Sequence, residues 1–476
     1  MLNRKLTRSV ISSVFIFILI ISLASCSRSA DIEPNLAEPE TPATSDYPLE
    51  DTPDDSTDTQ LDTSEHRSLS GTLTISQCWD FQNLDIAIRR FTEIHPDVQI
   101  VLNKFNNDWE RYIAQIGAQL MAGVADDIID ASMLSHVDLS ERGFLVDFLP
   151  LMQNDPGFME DDFFMNAFRA FKYRGGLYTF PTSFRYNFVG VNNTLSEELI
   201  ENFKQFETIS HRQMLDLYFE FADSNTYFLS PDMDAIVFVL DNSRTFVDYE
   251  NRTARFNTDD FIRMLTYFQV ATNPQRVADG RLSWRTNWDP TGAATPEFFH
   301  RYVFMIASHG NYRAFFPISD RDLFTYYIPF VTDDGYIPIV STRQFFINSA
   351  SENIELAWEF LKFLATDEVL VDLIIGRDIP IKREHYRNHT PAYITKWVNQ
   401  LRENHFIIEG ETQDIVKDII SNMEKWNEMP MQSQRMTNVT DMILETLISF
   451  HNGFLTAQQA AEELQNRVSL YLMERG

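Results

Sequence analysis

The sequence predicts an α/β protein built on a largely parallel sheet. Two features of residues 71–131 carry that prediction. The hydrophobic pattern switches between alternation and a period of about 3.6 residues, the marks of half-buried strands and amphipathic helices. The segments come as strand, helix, strand, helix, strand, at the spacing of βαβ units. A hydrophobic content of 44% with 39 Phe supplies ample material for a sizeable core.

Thr72 to Ser76 alternates, with Leu73 and Ile75 on one face, and reads as the first strand. Leu84, Ala87, Ile88 and Phe91 recur at helical spacing, and His95-Pro96 ends that helix, since the residue before proline avoids helical backbone. Val98, Ile100 and Leu102 alternate again. Trp109 to Met121 reads as a second helix, stopped at Ala122-Gly123, and Asp127 to Ala131 as a short apolar strand. Gly175-Gly176 turns into Leu177 to Pro181, and Phe188 to Val191 is another strand. Residues 195–273 read as mostly helical, with loops at Ser230-Pro231 and Asp248 to Thr253. Tyr302 to Ala307, Leu323 to Ile328 and Phe345 to Asn348 read as strands. The last leads into a helix from Ile354 to Ala365, with Ala357, Phe360, Leu361 and Leu364 as its buried stripe. The rest is helical. The final helix starts at Thr456, where Gln459 completes a capping box, and turns Ala460, Ala461, Leu464, Val468 and Tyr471 inward.

Ahead of these elements stands the order of a secretory signal: basic Arg4, Lys5 and Arg8, an apolar stretch from Val14 to Ile21, then Leu23-Ala24-Ser25. The apolar run falls well short of the ~20 residues that span a bilayer. Cys26, directly after the small residues, resembles the cysteine of a bacterial lipobox. That implies removal of residues 1–25 and a lipid on Cys26. Residues 26–70 are rich in Pro, Ser, Thr, Asp and Glu, and read as a disordered acidic tether. The chain would then work outside the cytoplasmic membrane, anchored to its outer face. The net charge of −30 repels nucleic acid and anionic lipid surfaces, so no nucleic-acid partner is expected. With Cys26 lipidated, Cys78 has no partner, and it reads as a small buried hydrophobe.

The run of motifs from Gly71 to Glu474 resembles one family: the extracellular solute-binding proteins of sugar-type ABC importers, the group of maltose-binding protein. Ala87-Ile88-Arg89-Arg90-Phe91-Thr92-Glu93-Ile94-His95-Pro96-Asp97-Val98 is similar to that family's opening helix and following strand. Ala122-Gly123-Val124-Ala125-Asp126-Asp127-Ile128 resembles its small-Gly-x-x-Pro-Asp-Val turn, with Asp126 where Pro is usual. Gly143-Phe144-Leu145-Val146-Asp147-Phe148 is similar to its Gly-x-Leu-x-Asp-Leu. Gly176 to Asn192 looks like the first crossing between lobes. Ala357-Trp358-Glu359-Phe360-Leu361-Lys362-Phe363-Leu364 through Glu368, followed by Ile379-Pro380-Ile381-Lys382, resembles its later helix and the segment after it. The resemblance implies a two-lobed periplasmic-binding-protein-like fold of type II, with a hinge of several crossings and a ligand cleft between α/β lobes. Crossings are expected near residues 182–188, 338–345 and 376–382. One lobe would take residues 71–184 and 343–377, the other residues 185–342 and 378–476. Partners would be a carbohydrate and an ABC transporter permease. A monomer, no cofactor and no catalysis are expected.

A sugar has apolar C–H faces and a rim of hydroxyls, so its cleft needs aromatic rings and polar side chains that leave no buried group unpaired. Candidates are therefore residues at strand ends and in loops. Trp79 and Asp80 follow the first strand at its carboxyl end, and Trp109 heads the second helix after an Asn-rich loop. Asp127 begins a strand, with a structural cap as its other role. Arg185 and Tyr186 lie at the first crossing and Arg343 near the second. Trp284 and Trp288 share a loop with Arg285, Asn287 and Asp289. Asn311 and Tyr312 resemble the family's Gly-x-Trp position, with Tyr312 in place of Trp. Trp426, ahead of Met429-Pro430-Met431, matches a C-terminal loop that closes over ligand in the family. Trp358, on a helical stripe, is assigned to packing.

His385 and His389 are four apart but lack the Glu of a zinc-binding H-E-x-x-H, so no metal is expected. Two other roles suit the same residues: a ligand-sensing subunit for a membrane receptor kinase, and a secreted carbohydrate-active enzyme. Cys26→Ala is expected to move the protein from the membrane fraction to the soluble fraction without changing ligand binding. A variant that stayed with the membrane would overturn the lipid-anchor assignment.

Overall fold

The first sheet is built on β1, Gly71–Gln77, which pairs in parallel with β2, Val98–Lys104, on one side and β3, Ile128–Asp130, on the other. The strand Gln344–Ile347 adds antiparallel to β3, and Phe180–Pro181 completes the order. This computed structural model describes residues 69–221, 226–229, 240, 242–271, 302–308, 324–403, 411–433 and 438–474. The anticipated signal, Cys26, most of the tether, the Ser230-Pro231 loop and Leu323 lie outside the described residues. Leu69 already packs against the core, inside the stretch expected to be tether.

Both faces of this sheet are covered. Ile128, Phe345 and Ile347 join one apolar cluster, while the intervening Ile129 and Phe346 join another. Side chains alternate across a strand, so each face has its own helices. On the first face the helix Leu84–Ile94 buries Leu84, Ala87 and Phe91, and Phe91 meets Phe360 edge-on at 5.1 Å. Phe360 belongs to the helix Ile354–Thr366, and Arg90 ties the two together by forking onto Asp367 at 2.8–3.0 Å. Trp358 of that helix sits among Phe148, Phe158 and Phe180, and donates from Nε1 to Asp155 at 2.8 Å. On the other face the helix Trp109–Ala122 buries Tyr112, Ile116 and Leu120. Asp108 caps its start by accepting from the Arg111 N–H at 3.1 Å. Gly123 ends it in the left-handed region at φ +70°, where glycine carries no Cβ penalty.

The second sheet is organised on the long strand Ser183–Asn192, whose residues are buried except for half-buried Asn187. Tyr302–Ser308 and Phe324–Val331 flank it antiparallel; Ile337–Val340 and Ile379–Pro380 pair with its first half. Tyr227–Leu229 and Met431–Ser433 extend the sheet. The helices Asn438–His451 and Ala457–Glu474 pack together against Phe246, Phe256 and Phe261, and reach Val137 and Tyr173.

The long elements match the periodicity. Of the short ones, Ile128–Asp130 and Gln344–Ile347 fall where strands are expected, and others do not. Within residues 195–273 the helices Glu197–Phe203, His211–Phe221, Ser243–Phe246 and Asp259–Ala271 are joined by the strands Ile209–Ser210 and Tyr227–Leu229. The expected loop after Asp248 is the turn of a hairpin between Val247–Asp248 and Thr253–Ala254, held where Asp248 accepts from the N–H groups of Glu250 and Asn251. Ile337–Val340 and Met431–Ser433 are further strands that the hydrophobic pattern does not mark. Segments this short show too little alternation to mark a strand by pattern alone, and their pairing partners complete them. No helix among the described residues is long and apolar enough to cross a membrane.

The last helix begins as its capping box requires: the Thr456 N–H donates to Gln459 Oε1 at 2.9 Å and the Gln459 N–H to Thr456 Oγ1 at 3.2 Å. Ala460, Ala461, Leu464 and Val468 behind it are fully buried. Thr456→Ala is expected to lower stability by about 1 kcal/mol, read as a shift of the urea midpoint. An unchanged midpoint would remove the cap from the account.

Candidate functional site

In an open α/β sheet the backbone turns at the carboxyl ends of parallel strands leave a crevice for a ligand. Here β1, β2 and β3 end at Gln77, Lys104 and Asp130. The loops that follow are tied to each other. The Phe105 N–H donates to Gln77 O at 2.9 Å and the Asn107 N–H to Cys78 O at 2.9 Å. Asp130 is fully buried and accepts from Cys78 N at 3.0 Å, Ser132 N at 3.0 Å and Ser132 Oγ at 2.6 Å. Burial raises its pKa, against the pull of those donors. Tyr112 OH donates to the Asp130 carbonyl at 2.6 Å, so the second helix is locked to the same point.

On this frame Asp80 and Asn107 stand exposed and paired: Asn107 Nδ2 donates to Asp80 Oδ2 at 3.1 Å, and the Asp80 N–H donates to Asn107 Oδ1 at 3.2 Å. Asn106 and Asn107 are both left-handed, at φ +49° and +65°, a conformation asparagine tolerates. Together they offer a carboxylate acceptor and an amide that both donates and accepts. Trp79 lies beside them but is only 8% exposed, packed with Cys78, Phe105 and Met133. Trp109 is half-buried against the same cluster.

The crossings between the sheets lie next to this edge. The chain passes from Pro181 of the first sheet to Ser183 of the second, back from Val340 to Gln344, and forward again at Asp378 into Ile379. The Thr182 N–H donates to Arg343 O at 2.9 Å and the Ile381 N–H to Thr182 O at 3.1 Å, which stitches the three together. Asp378, 1% exposed, accepts from Ser183 Oγ at 3.2 Å and Thr342 Oγ1 at 3.0 Å. Arg185 approaches its Oδ1 at 3.7 Å and Arg343 its Oδ2 at 3.5 Å. Gly376 holds φ +92° with the Tyr393 ring where a Cβ would sit, so the third crossing admits no side chain there.

These positions correct several sequence expectations. Arg185 and Arg343, expected to meet ligand, are buried at the crossings and engaged with Asp378. Tyr186 is 1% exposed; its ring packs on Phe188 at 5.0 Å and its OH donates to Asn427 at 2.8 Å. Trp426 is not in a loop. It closes the buried stripe Val416, Ile419, Met423 of the helix Thr412–Asn427 and meets Phe188 at 5.3 Å. Asp127 precedes β3, about 10 Å from the strand's carboxyl end. Its carboxylate accepts from Thr74 N and Oγ1 at 2.8 Å, and from Ser351 and Asn353. It acts as a staple between β1 and the turn before the helix Ile354–Thr366. Trp284, Trp288, Asn311 and Tyr312 lie outside the described residues. Asn107, Asp130 and Ser132 escaped sequence reasoning; the signal that finds them is position immediately after β2 and at the end of β3. Asn187, the residue after Tyr186, is the half-buried residue of its strand and pairs with Ser308.

No family model matches the sequence, and no curated protein matches it. Solved structures do. The sugar-binding protein MalE from Xanthomonas citri matches over 85% of this chain and 98% of its own, at 14% identity and a TM-score of 0.57. An ABC substrate-binding protein from Listeria monocytogenes, in complex with cycloalternan, matches over 85% and 99%, at 13% identity and a TM-score of 0.54. An extracellular solute-binding protein of family 1 from Alicyclobacillus acidocaldarius matches over 85% and 98%, at 14% identity and a TM-score of 0.52. The fold is therefore the two-lobed α/β fold of the MalE-like binding proteins.

Burial disfavours the charged form of Asp127, but donors from Ser351, Thr74 and Asn353 outweigh it and hold the carboxyl below the usual range. A depressed pKa contributes stability above the unfolded value of about 3.9 and loses it as pH falls through the folded value. Asp127→Ala is expected to cost about 1–3 kcal/mol at neutral pH, with the gap to the parent narrowing below about pH 4. Urea melts at pH 7 and pH 3.5 check this; a gap that is constant across that range would contradict it.

Proposed function

We propose that this protein is a sugar-type solute-binding protein, held outside the cytoplasmic membrane by a lipid on Cys26. It captures a mono- or oligosaccharide between its lobes and delivers it to an ABC transporter permease, as a monomer, without catalysis of its own. One observation carries the reading: a chain whose fold spans 98–99% of two sugar-binding structures presents an exposed Asp80–Asn107 pair on the carboxyl edge beside its hinge. The lobes are assigned as residues 71–184 with 343–377, and residues 185–342 with 378–476.

Asp80 and Asn107 suit hydroxyl groups, which both donate and accept. Their mutual bonds hold them oriented before a ligand arrives, so little ordering entropy is lost on binding. Trp79 and Trp109 contribute apolar surface behind them. Asn187, Asn311, Tyr312, Trp284 and Trp288 are assigned as further ligand contacts. Asn187 pairs with Ser308, the last residue of the strand Tyr302–Ser308, and Asn311 and Tyr312 come three and four residues later in the sequence.

A thermal-shift screen of sugars, oligosaccharides, peptides and polyamines tests the ligand class. A ligand at 100 times its Kd stabilises by about 2.7 kcal/mol. The expected result is a shift with carbohydrate alone, reduced in Asp80→Ala, Asn107→Ala, Trp288→Ala and Tyr312→Ala. A shift with peptides or polyamines only would overturn the sugar reading, and a full sugar response in all four variants would move the site elsewhere.

A further inference from the structure

The two assigned lobes also meet through elements that lie outside the crossings. Among the described residues, the buried cluster around the helices Asn438–His451 and Ala457–Glu474 is drawn from residues 185–342 and 378–476, except for Val137 and Tyr173. Val137 belongs to the helix His136–Glu141, which begins six residues past Asp130, the end of β3. Ser135 caps this helix by accepting from the Asp138 N–H at 3.1 Å. The helix has two apolar directions. Leu139 packs against the cluster of Tyr112, Ile116 and Ile129 in its own lobe, while Val137, fully buried, packs against the terminal helices of the other.

Asp138 adds a polar contact beside Val137. Its Oδ1 accepts from Tyr471 OH at 3.0 Å, and Tyr471 stands on the helix Ala457–Glu474. The Tyr471 oxygen accepts in turn from Asn438 Nδ2 at 3.4 Å. Burial pushes the Tyr471 hydroxyl up to about 12, so it keeps its proton to donate at neutral pH. Tyr173, the other first-lobe member of the cluster, donates from its OH to Glu141 at the end of the same short helix.

We propose that Val137 and Asp138 on one lobe and Tyr471 on the other form a clasp, which holds the lobes together without ligand and parts to admit one. A hydrogen bond to a carboxylate and an apolar side chain withdrawn from water are both lost when the lobes separate, so both favour the closed position. A ligand that enters only the open form binds with an affinity reduced by the open fraction, and the clasp sets that fraction. Asp138 and Tyr471 are thus positioning residues. The inference rests on the proposed division into lobes and not on the identity of the ligand.

Small-angle X-ray scattering of residues 26–476 with Cys26→Ala, without ligand, reads the lobe separation as a radius of gyration. Tyr471→Phe removes the hydroxyl and keeps the ring. Losing a hydrogen bond to a charged group is expected to raise the ratio of open to closed molecules roughly tenfold, seen as a larger radius. Adding Val137→Ala, which removes two methyl groups from the seat, is expected to enlarge it further. Asp138→Asn keeps an acceptor oxygen and is expected to change the radius less than Asp138→Ala. Where Asp138→Ala fails to fold by circular dichroism, Tyr471→Phe, which leaves the helix His136–Glu141 untouched, carries the test. A purely structural contact would lower the melting temperature and leave the radius as it is. An unchanged radius in folded Tyr471→Phe and Val137→Ala overturns the clasp. Because no ligand is present, failure of the sugar screen leaves this result standing, and the reverse.

Discussion

A chain that builds two sheets and shares its segments between them must cross from one to the other and return. Here three crossings meet around one buried carboxylate. Asp378 is in reach of Ser183 and Arg185 from the first crossing and of Thr342 and Arg343 from the second. Removing a buried ion from water costs several kcal/mol, which only close partners offset. That cost is what makes the meeting point specific. A slip of any crossing would strand a charge without its partners, so the carboxylate fixes which residues of the three segments face one another.

The candidate site inherits its position from this point. Pro181 and Thr182 leave the first sheet beside the strand that starts at Gln344, next to the ends of β1 and β3. Hinge and carboxyl edge are therefore neighbours by topology. Asp130 then binds the loops after β1 and β3 together, and the backbone bonds from Phe105 and Asn107 add the loop after β2. The result is an edge whose three loops are bonded to one another, with Asp80 and Asn107 on its surface.

Charged and aromatic residues divide by whether a helix or a strand end carries them. Trp358 and Trp426 lie on buried helical stripes, where ring area stabilises the core. Asp127 and Asp378 have carboxylates engaged by several partners and act as fasteners. Asp80 carries the same functional group on an exposed 3-10 turn, where its remaining lone pairs face solvent. Residue type alone does not separate these roles; the number of partners around each carboxylate does.

By itself the sequence determined the elements with a long enough period: β1, β2, the helices at Leu84–Ile94, Trp109–Ala122 and Ile354–Thr366, and the capped last helix. Their burial follows from local spacing, which one chain segment contains in full. It also carried the motif order from which the two-lobed fold was expected. The tertiary structure decided the rest. Several strands of two to four residues are marked by their partners and not by pattern. Arg185, Arg343, Tyr186 and Trp426 sit at plausible positions along the chain, yet each is turned inward by neighbours far away in sequence. Whether a polar or aromatic side chain meets a ligand or the core depends on which distant segment covers it. That is a property of the packed molecule, set by burial and pairing across the chain.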